Sequence, residues 1–277
     1  MKNQVKRTAL ITGSSGGIGS AVARDLASKN YHLILMDINE QDNRKLADEL
    51  PSAEIITLDL TNRDELRAIC KLIPQYELDV AFINAGMVYP GDVIDLDEKM
   101  IDLQIEINLR STIMINRACG DAMSSRGRGS IINTVSAGGI VGMKSSAIYS
   151  AAKFGLRGFL MSFHSEMKKN GVSVSGLYPA AVDTKMLEKE TLNGGSVLNF
   201  LNTPSTVQDL VKGFNKAIKT GKLEIHIPQS GSILSKILGG VFPGMIDSLY
   251  PILQRIGEKG KAKYLRKLDS KGVLISN

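Results

Sequence analysis

Apolar runs that alternate with amphipathic segments constrain the fold of this chain more than any other feature of its sequence. Seven short runs are candidate buried strands: Thr8–Thr12, Tyr31–Met36, Glu54–Leu58, Leu78–Asn84, Ser130–Val135, Val172–Tyr178 and, less regular, Leu223–Ile227. The spacing between them predicts helices at Ile18–Lys29, Gln41–Leu50, Asp64–Ile73, Lys99–Met123 and from Tyr149 to about Asn170. Strands that are apolar throughout and separated by helices predict an α/β fold with a doubly wound, mostly parallel sheet.

A glycine-rich turn, Thr-Gly-Ser-Ser-Gly-Gly-Ile-Gly at residues 12–19, joins the first strand to the first helix. Such a turn lets the backbone approach a pyrophosphate closely, and the following helix N-terminus favours the anion. A glycine-rich turn alone is weak support for a nucleotide site, since such turns occur in many other contexts. Here the strand before and the helix after predict a dinucleotide site with these contacts: Gly13, Ser15, Gly17, Ile18 and Gly19.

Asp37 ends the second strand, roughly twenty residues beyond the glycines. A carboxylate there can accept hydrogen bonds from ribose hydroxyls and would repel a 2′-phosphate. No Arg or Lys stands at positions 14, 15, 38 or 39 to bind that phosphate. We therefore expect NAD rather than NADP, the alternative being that Asp37 is only a turn residue or helix cap.

The ends of the third and fourth strands supply further candidate cofactor contacts. Asp59 and Leu60 follow the third strand, where Asp59 either serves the adenine amino group or caps a turn. The small residues Asn84, Ala85 and Gly86 close the fourth strand and suit backbone lying against the adenosine side of the cofactor.

Tyr149 and Lys153 stand one helical turn apart on one face. A nearby ammonium stabilises a phenolate and lowers its pKa, which predicts proton exchange with an alcohol or carbonyl oxygen. Ser136 follows the fifth strand at its carboxyl end, and its hydroxyl is positioned to hold the substrate oxygen. Asn108 is polar in an apolar helix; it either bends the helix and binds a proton-relay water, or is a satisfied buried amide.

With the motifs TGSSGGIG, NAG and YSAAK, and with Asn108 and Ser136 in order between them, the chain resembles the short-chain dehydrogenase/reductase family over about Thr8–Thr184. The resemblance implies a seven-stranded Rossmann-type sheet, a nicotinamide cofactor and an Asn–Ser–Tyr–Lys tetrad. The resemblance also implies that Tyr149 and Lys153 contact the cofactor, the lysine at the nicotinamide ribose. The resemblance further implies a homodimer or homotetramer, with helices near Asn108 and Tyr149 at the interface.

Pro179, Val182 and Thr184 match the segment that the family places on the nicotinamide side of the cofactor. The family commonly has a glycine directly after that proline, whereas this chain has Ala180. The alanine puts the expected backbone geometry there in question, although the threonine is in place.

The family's substrate loop corresponds to about Lys185–Thr206, which is mainly apolar. Its apolar residues are Met186, Leu187, Leu192, Val197, Leu198, Phe200 and Leu201, and Val88, Val141, Met143 and Ile148 are candidate additions to the wall. This favours an apolar alcohol or ketone that is steroid-like, fatty or aromatic. Alternatively, the loop packs on the body of the protein or on a neighbouring subunit.

We expect residues 1–230 to form the catalytic domain and residues 231–277 to form a separate C-terminal segment. That segment has apolar stretches at 233–242 and 245–253, and from Arg255 to Lys271 it carries seven basic and two acidic residues. It is a lid, an oligomer contact, a peripheral membrane contact, a patch for an acidic partner or a solvated tail. No nucleic-acid module accompanies the charge, so we expect no nucleic-acid partner.

Cys70 and Cys119 match no metal motif, and no uncharged run is long enough to span a membrane, which favours a cytoplasmic enzyme without a metal. A non-catalytic NAD-sensing regulator on the same fold is the main alternative, although the complete tetrad disfavours it. A sugar-nucleotide epimerase generally has a different glycine spacing and a larger C-terminal domain.

Overall fold

The computed structural model describes residues 7–228 and 243–272. In this part of the chain, seven parallel strands form one sheet in the order β3-β2-β1-β4-β5-β6-β7. They are β1 (Arg7–Thr12), β2 (Tyr31–Asp37), β3 (Ala53–Thr57), β4 (Leu78–Ile83), β5 (Gly129–Thr134), β6 (Val172–Pro179) and β7 (Glu224–Ile227). The predicted α/β, doubly wound Rossmann-type fold is confirmed, including the less regular seventh strand.

Nine α-helices lie in the same described residues. They are α1 (Gly17–Ser28), α2 (Glu40–Asp48), α3 (Arg63–Leu72), α4 (Glu98–Ile105), α5 (Ser111–Ser124), α6 (Ala147–Lys168), α7 (Lys185–Leu192), α8 (Val207–Thr220) and α9 (Pro243–Ser270). None of these helices is both long and apolar enough to cross a membrane.

Two apolar cores lie on opposite faces of the sheet, because alternate residues of a strand point to opposite sides. Helices α1, α2 and α8 pack on one face, where Ile11 of β1 is fully buried. Helices α3, α5 and α6 pack on the other face, where Leu10 is fully buried. The strand order reverses between β1 and β4, and open α/β sheets bind ligands at the carboxyl ends of the strands at such a point.

The predicted long helix over Lys99–Met123 is present, but a π-helical turn at Glu106–Arg110 lies within it, between α4 and α5. Asn108 lies in this turn and is fully buried. Its Nδ2 donates to the carbonyl oxygens of Met87 (2.7 Å) and Gln104 (2.9 Å). These bonds fix the widened turn, which periodicity alone does not reveal because apolar spacing continues through it.

Helix α9 packs across the loop predicted to face the substrate. Gly257 and Gly260 allow a close approach, since a Cβ on them would lie 2.4 Å from Val197 O and 2.1 Å from Phe200 O, respectively. Tyr264 and Leu268 complete a small apolar core with three residues of that region, Ala181, Leu187 and Phe200. The basic C-terminal segment is therefore not a free tail, while the apolar stretch at 233–242 lies outside the described residues.

Candidate active site

A cavity of about 770 Å³ opens at the carboxyl ends of the central strands. Every residue predicted for the site except one lines it: Gly13, Ser15, Gly17, Ile18, Asp37, Asp59, Leu60, Asn84, Ala85, Gly86, Asn108, Ser136, Tyr149, Lys153, Pro179, Val182 and Thr184. Gly19 is the exception. A Cβ on Gly19 would lie 2.1 Å from Gly13 O, so this glycine lets α1 pack against the turn.

The glycine turn needs glycine at its first position for two reasons. Gly13 has a φ of 64°, a region that favours glycine, and a Cβ there would lie 2.9 Å from Ala85 Cα. Helix α1 begins at Gly17 with no side-chain cap and no acidic residue in its first turn. Its N-terminal N–H groups and helix dipole therefore favour an anion such as a pyrophosphate.

Asp37 is held at the rim of the cavity by two backbone hydrogen bonds. Its Oδ2 accepts from the Ser15 N–H (2.9 Å), and its Oδ1 accepts from the Asn39 N–H (3.0 Å). The carboxylate thus has the turn role considered from the sequence and also faces the cavity. Asp59 likewise accepts hydrogen bonds from Thr61 N and Oγ1, both at 2.8 Å, and lines the cavity.

Asn84 links the glycine turn to the fourth and fifth strands. Its Nδ2 donates to Gly13 O (3.2 Å), and its Oδ1 accepts from Thr134 Oγ1 (3.0 Å). The backbone N–H groups of Asn84 and Ala85 donate to Thr12 Oγ1 at 3.0 and 3.1 Å. This segment is therefore a rigid wall of the cavity.

Asn108 contacts the same wall. Its Oδ1 accepts from Met87 N–H at 3.2 Å while its Nδ2 donates to Met87 O. A Cβ on Gly86 would lie 2.9 Å from Asn108 Oδ1 and 3.7 Å from Lys153 Nζ, so only a glycine leaves room for both groups. Backbone atoms thus satisfy the hydrogen bonds of the Asn108 amide, as expected if Asn108 is a satisfied buried amide. The side chain also lines the cavity next to Lys153.

Ser136, Tyr149 and Lys153 meet on one side of the cavity. A Cβ on Gly138 would lie 3.3 Å from Tyr149 Cε1 and 3.5 Å from Ser136 Oγ, which places the two side chains together. Lys153 is 3% exposed, its Nζ donates to Thr134 O (3.0 Å), and it lies 5.5 Å from the centre of the Tyr149 ring.

The pKa values of this group differ from the sequence-based expectation. Burial raises the pKa of Tyr149 to about 12, and the neighbouring Ser136 hydroxyl only partly offsets this. Burial also lowers the pKa of Lys153 to about 8, because desolvation disfavours the ammonium. The prediction of a lowered phenol pKa is therefore wrong for the chain alone: desolvation is the largest effect on this pKa, and Tyr149 is a neutral proton donor at pH 7.

Pro179, Val182 and Thr184 also line the cavity. Within the described residues, Asn30 and Ser145 are the non-glycine residues with positive φ, so Ala180 has an ordinary backbone conformation. The Ala180 N–H donates to Ile227 O (2.9 Å), and a Cβ on Gly17 would lie 3.2 Å from Thr184 Cγ2. The alanine therefore causes no backbone strain next to the glycine turn.

Several polar residues of the cavity wall were missed by the sequence reasoning, among them Lys185, Lys189, Glu190 and Asn199. Glu190 of α7 and Asn199 line the cavity, and Asn199 Nδ2 donates to Glu190 Oε1 at 2.8 Å. Both lie in the segment predicted as the substrate loop, Lys185–Thr206, and no local sequence pattern distinguishes them from polar residues exposed to solvent. Among the residues that the structure describes, no cluster of three or more His, Cys, Asp or Glu side chains suits a metal ion.

The fold, the uncapped helix at a glycine turn and the Tyr–Lys pair define a dinucleotide-binding α/β oxidoreductase. Residues 7–194 match the short chain dehydrogenase family, and the chain belongs to it. The predicted family is thereby confirmed, together with its nicotinamide cofactor.

Relatives and solved structures agree with this assignment. The chain is 35% identical over 185 residues to the 3-oxoacyl-[acyl-carrier-protein] reductase FabG of Rickettsia bellii, covering 66% of this chain and 76% of that protein. A short-chain dehydrogenase from Sphingobium yanoikuyae in complex with NADPH has a TM-score of 0.75 at 23% identity, covering 87% of this chain and 95% of that one. A 4-hydroxyisoleucine dehydrogenase complexed with NADH has a TM-score of 0.72 at 21% identity, covering 80% and 96%. At these identities the solved structures support the fold alone.

Proposed function

We propose that this protein is an NAD-dependent oxidoreductase that interconverts an apolar secondary alcohol and its ketone. The observation that carries the proposal is the meeting of Ser136, Tyr149 and Lys153 in the cavity that Asp37 and the glycine turn also line. A regulator that only sensed NAD would have no need of this proton-transfer group.

The bound nicotinamide supplies the hydride, which no side chain of the protein can provide. In ketone reduction the Ser136 hydroxyl holds the substrate oxygen and Tyr149 donates its proton to that oxygen. The Lys153 ammonium then stabilises the resulting phenolate. The glycine turn and the N-terminus of α1 bind the pyrophosphate, and Lys153 also binds the nicotinamide ribose.

The apolar part of the cavity wall supports an apolar substrate. Of the apolar residues considered from the sequence, Val88, Met143, Met186 and Leu187 line the cavity. Phe200 instead packs against Tyr264, with ring centres 5.3 Å apart. For this residue, the structure agrees with the alternative prediction that the loop packs on the body of the protein.

The preference for NAD is tested with a panel of apolar secondary alcohols and ketones, read at the nicotinamide absorbance. We expect kcat/KM for NADH to exceed that for NADPH. The fixed Asp37 carboxylate can accept hydrogen bonds from the ribose hydroxyls of NADH and would repel the 2′-phosphate of NADPH. The change Asp37→Ala should narrow this preference by about 10- to 100-fold, since hydrogen bonds to charged groups contribute about 1.5–3 kcal/mol.

The control for this experiment is Asp48→Ala, which removes an exposed carboxylate near the other end of α2. It should leave the cofactor preference unchanged. A natural enzyme that already favours NADPH would contradict the assignment of NAD.

The homodimer or homotetramer implied by the family stays a prediction. Helix α6 supports it, since Phe154 and Met161 are exposed on this helix and a Cβ on Gly158 would meet no neighbouring atom. A face with exposed apolar side chains and open space suits a second copy of the chain.

We also propose that α9 makes a peripheral contact with an anionic membrane, since it exposes Ile252 and Ile256 beside basic side chains. The double change Lys259→Glu/Lys263→Glu should weaken binding to phosphatidylserine liposomes at least 30-fold, since each lysine contributes about 1 kcal/mol near such a surface. Sedimentation with liposomes measures this. Truncation is a poorer test because Tyr264 and Leu268 belong to a core.

The matched control is Lys168→Glu/Lys169→Glu, which reverses two exposed charges at the end of α6. It should retain liposome binding. If the natural protein does not sediment with anionic liposomes, no membrane contact is made through α9.

A further inference from the structure

The carboxyl group of Glu190 is held in the cavity wall by contacts with neighbouring residues. Its Oε1 accepts the hydrogen bond from Asn199 Nδ2, and within residues 7–228 and 243–272 its Oε2 has no hydrogen-bond partner. The residue lines the same cavity as Tyr149 and Ser136. One acceptor oxygen is thus available to a molecule in the cavity.

Gly195 makes room for this side chain. A Cβ on Gly195 would lie 2.3 Å from Glu190 Cγ and 3.0 Å from its Oε1, so any other residue would displace the glutamate. The Gly195 N–H also donates to Glu190 O at 2.8 Å. The loop after α7 therefore closes against Glu190 and limits its movement.

Helix α9 fixes the other member of the pair. Gly257 and Gly260 bring this helix against the backbone at Val197 and Phe200, on either side of Asn199. Asn199 therefore belongs to a segment held between the helix and the body of the protein. A donor and an acceptor fixed in this way can recognise a ligand with little loss of side-chain entropy.

The electrostatic setting shows that Glu190 is close to the reacting group. Its charge contributes to the raised pKa of Tyr149. Burial raises the pKa of Glu190 itself, while Asn199 and Lys261 partly offset that effect. A partly desolvated carboxylate with a free acceptor position gains from a hydrogen-bond donor, because an unsatisfied buried group costs free energy.

We propose that Glu190 and Asn199 are specificity-determining residues that bind a hydrogen-bond donor of the substrate, on a group other than the reacting carbonyl. The substrate class is then an apolar ketone or alcohol with a second polar group, either a hydroxyl or an ammonium. This inference rests on the proposed oxidoreductase function, and it changes the substrate from wholly apolar to apolar with one polar end.

The test uses acetophenone, its hydroxymethyl and aminomethyl derivatives, and ethylacetophenone as an apolar control of similar size. In the natural enzyme with NADH, the KM of at least one donor-bearing ketone should be about 10- to 100-fold lower than that of ethylacetophenone. Glu190→Ala should abolish this ratio. Glu190→Gln separates the two donors, because it retains an acceptor oxygen for a hydroxyl but loses the charge that an ammonium needs.

The matched control is Glu188→Gln, a carboxylate of the same helix that does not line the cavity. It should leave the ratio of KM values as in the natural enzyme. Because the ratio is taken within one variant, a general loss of activity or stability does not alter the conclusion.

Calorimetric binding of the same four ketones to the enzyme with NAD⁺ separates this inference from the proposed function. Tighter binding of a donor-bearing ketone, lost in Glu190→Ala, supports the polar recognition site even if none is reduced. Equal binding of all four ketones by the natural enzyme overturns it, although turnover of any ketone would leave the oxidoreductase function intact. Absence of turnover across the wider alcohol and ketone panel would instead count against the proposed function.

Discussion

Replacing Tyr149 by phenylalanine is expected to lower kcat for ketone reduction by about 10²- to 10⁴-fold, the range typical of a lost general acid. The phenol lies beside Ser136, and burial keeps its proton in place by raising its pKa to about 12. Steady-state kinetics with NADH and an apolar ketone measures the effect. The dinucleotide should still bind, because the glycine turn and Asp37 do not depend on the hydroxyl.

The control for this variant is Tyr76→Phe, which removes a phenol oxygen outside the cavity, in the turn after α3. Both variants should retain NADH binding, measured by the change in cofactor fluorescence. Turnover that survives in Tyr149→Phe while Tyr76→Phe behaves like the natural enzyme would refute the proton-transfer role of Tyr149.

The sheet and the dinucleotide end of the site could be predicted because each rests on a local pattern. A buried parallel strand such as β4 is apolar along most of its length, from Val80 to Ile83, and the turn at Gly13 requires a residue that tolerates positive φ. The spacing of Tyr149 and Lys153 puts them on one helical face in any α-helix. These features therefore appear in the sequence before any tertiary contact is known.

The direction of the pKa shift of Tyr149 could not be predicted in the same way, because burial and a nearby positive charge act on this pKa in opposite directions. Helical spacing shows that an ammonium is near, but not that the cavity desolvates both partners. Burial raises the pKa of the phenol and lowers the pKa of the lysine. The magnitude of desolvation is a property of the assembled cavity and not of either residue's neighbours in sequence.

The polar part of the cavity formed by Glu190 and Asn199 could not be predicted from the sequence either. Glu190 of α7 and Asn199 stand nine positions apart, and Gly195 lets the segment between them fold back so that the two side chains form a hydrogen bond. The position of Asn199 further depends on α9, which begins more than forty residues later in the chain. Contacts between such distant segments leave no repeat or spacing in the sequence that could indicate them.

Replacing Lys153 by methionine is expected to reduce kcat for ketone reduction on the order of 100-fold and to change its dependence on pH. The ammonium lies 5.5 Å from the centre of the Tyr149 ring. At an effective dielectric constant of about 20, a phenolate at that distance gains about 3 kcal/mol from the positive charge. Methionine fills a similar volume but cannot supply this stabilisation when Tyr149 gives up its proton.

The sign of the pH effect follows from the pKa of Lys153, which burial lowers to about 8. The side chain carries its charge below that pH and loses it above, while the Tyr149 phenol stays protonated throughout this range. The rate of reduction by the natural enzyme should therefore be highest below pH 8 and fall as the pH rises through 8. The profile of Lys153→Met should be lower and flat between pH 6 and about 9, so an unchanged descending limb in that variant would show that another group titrates.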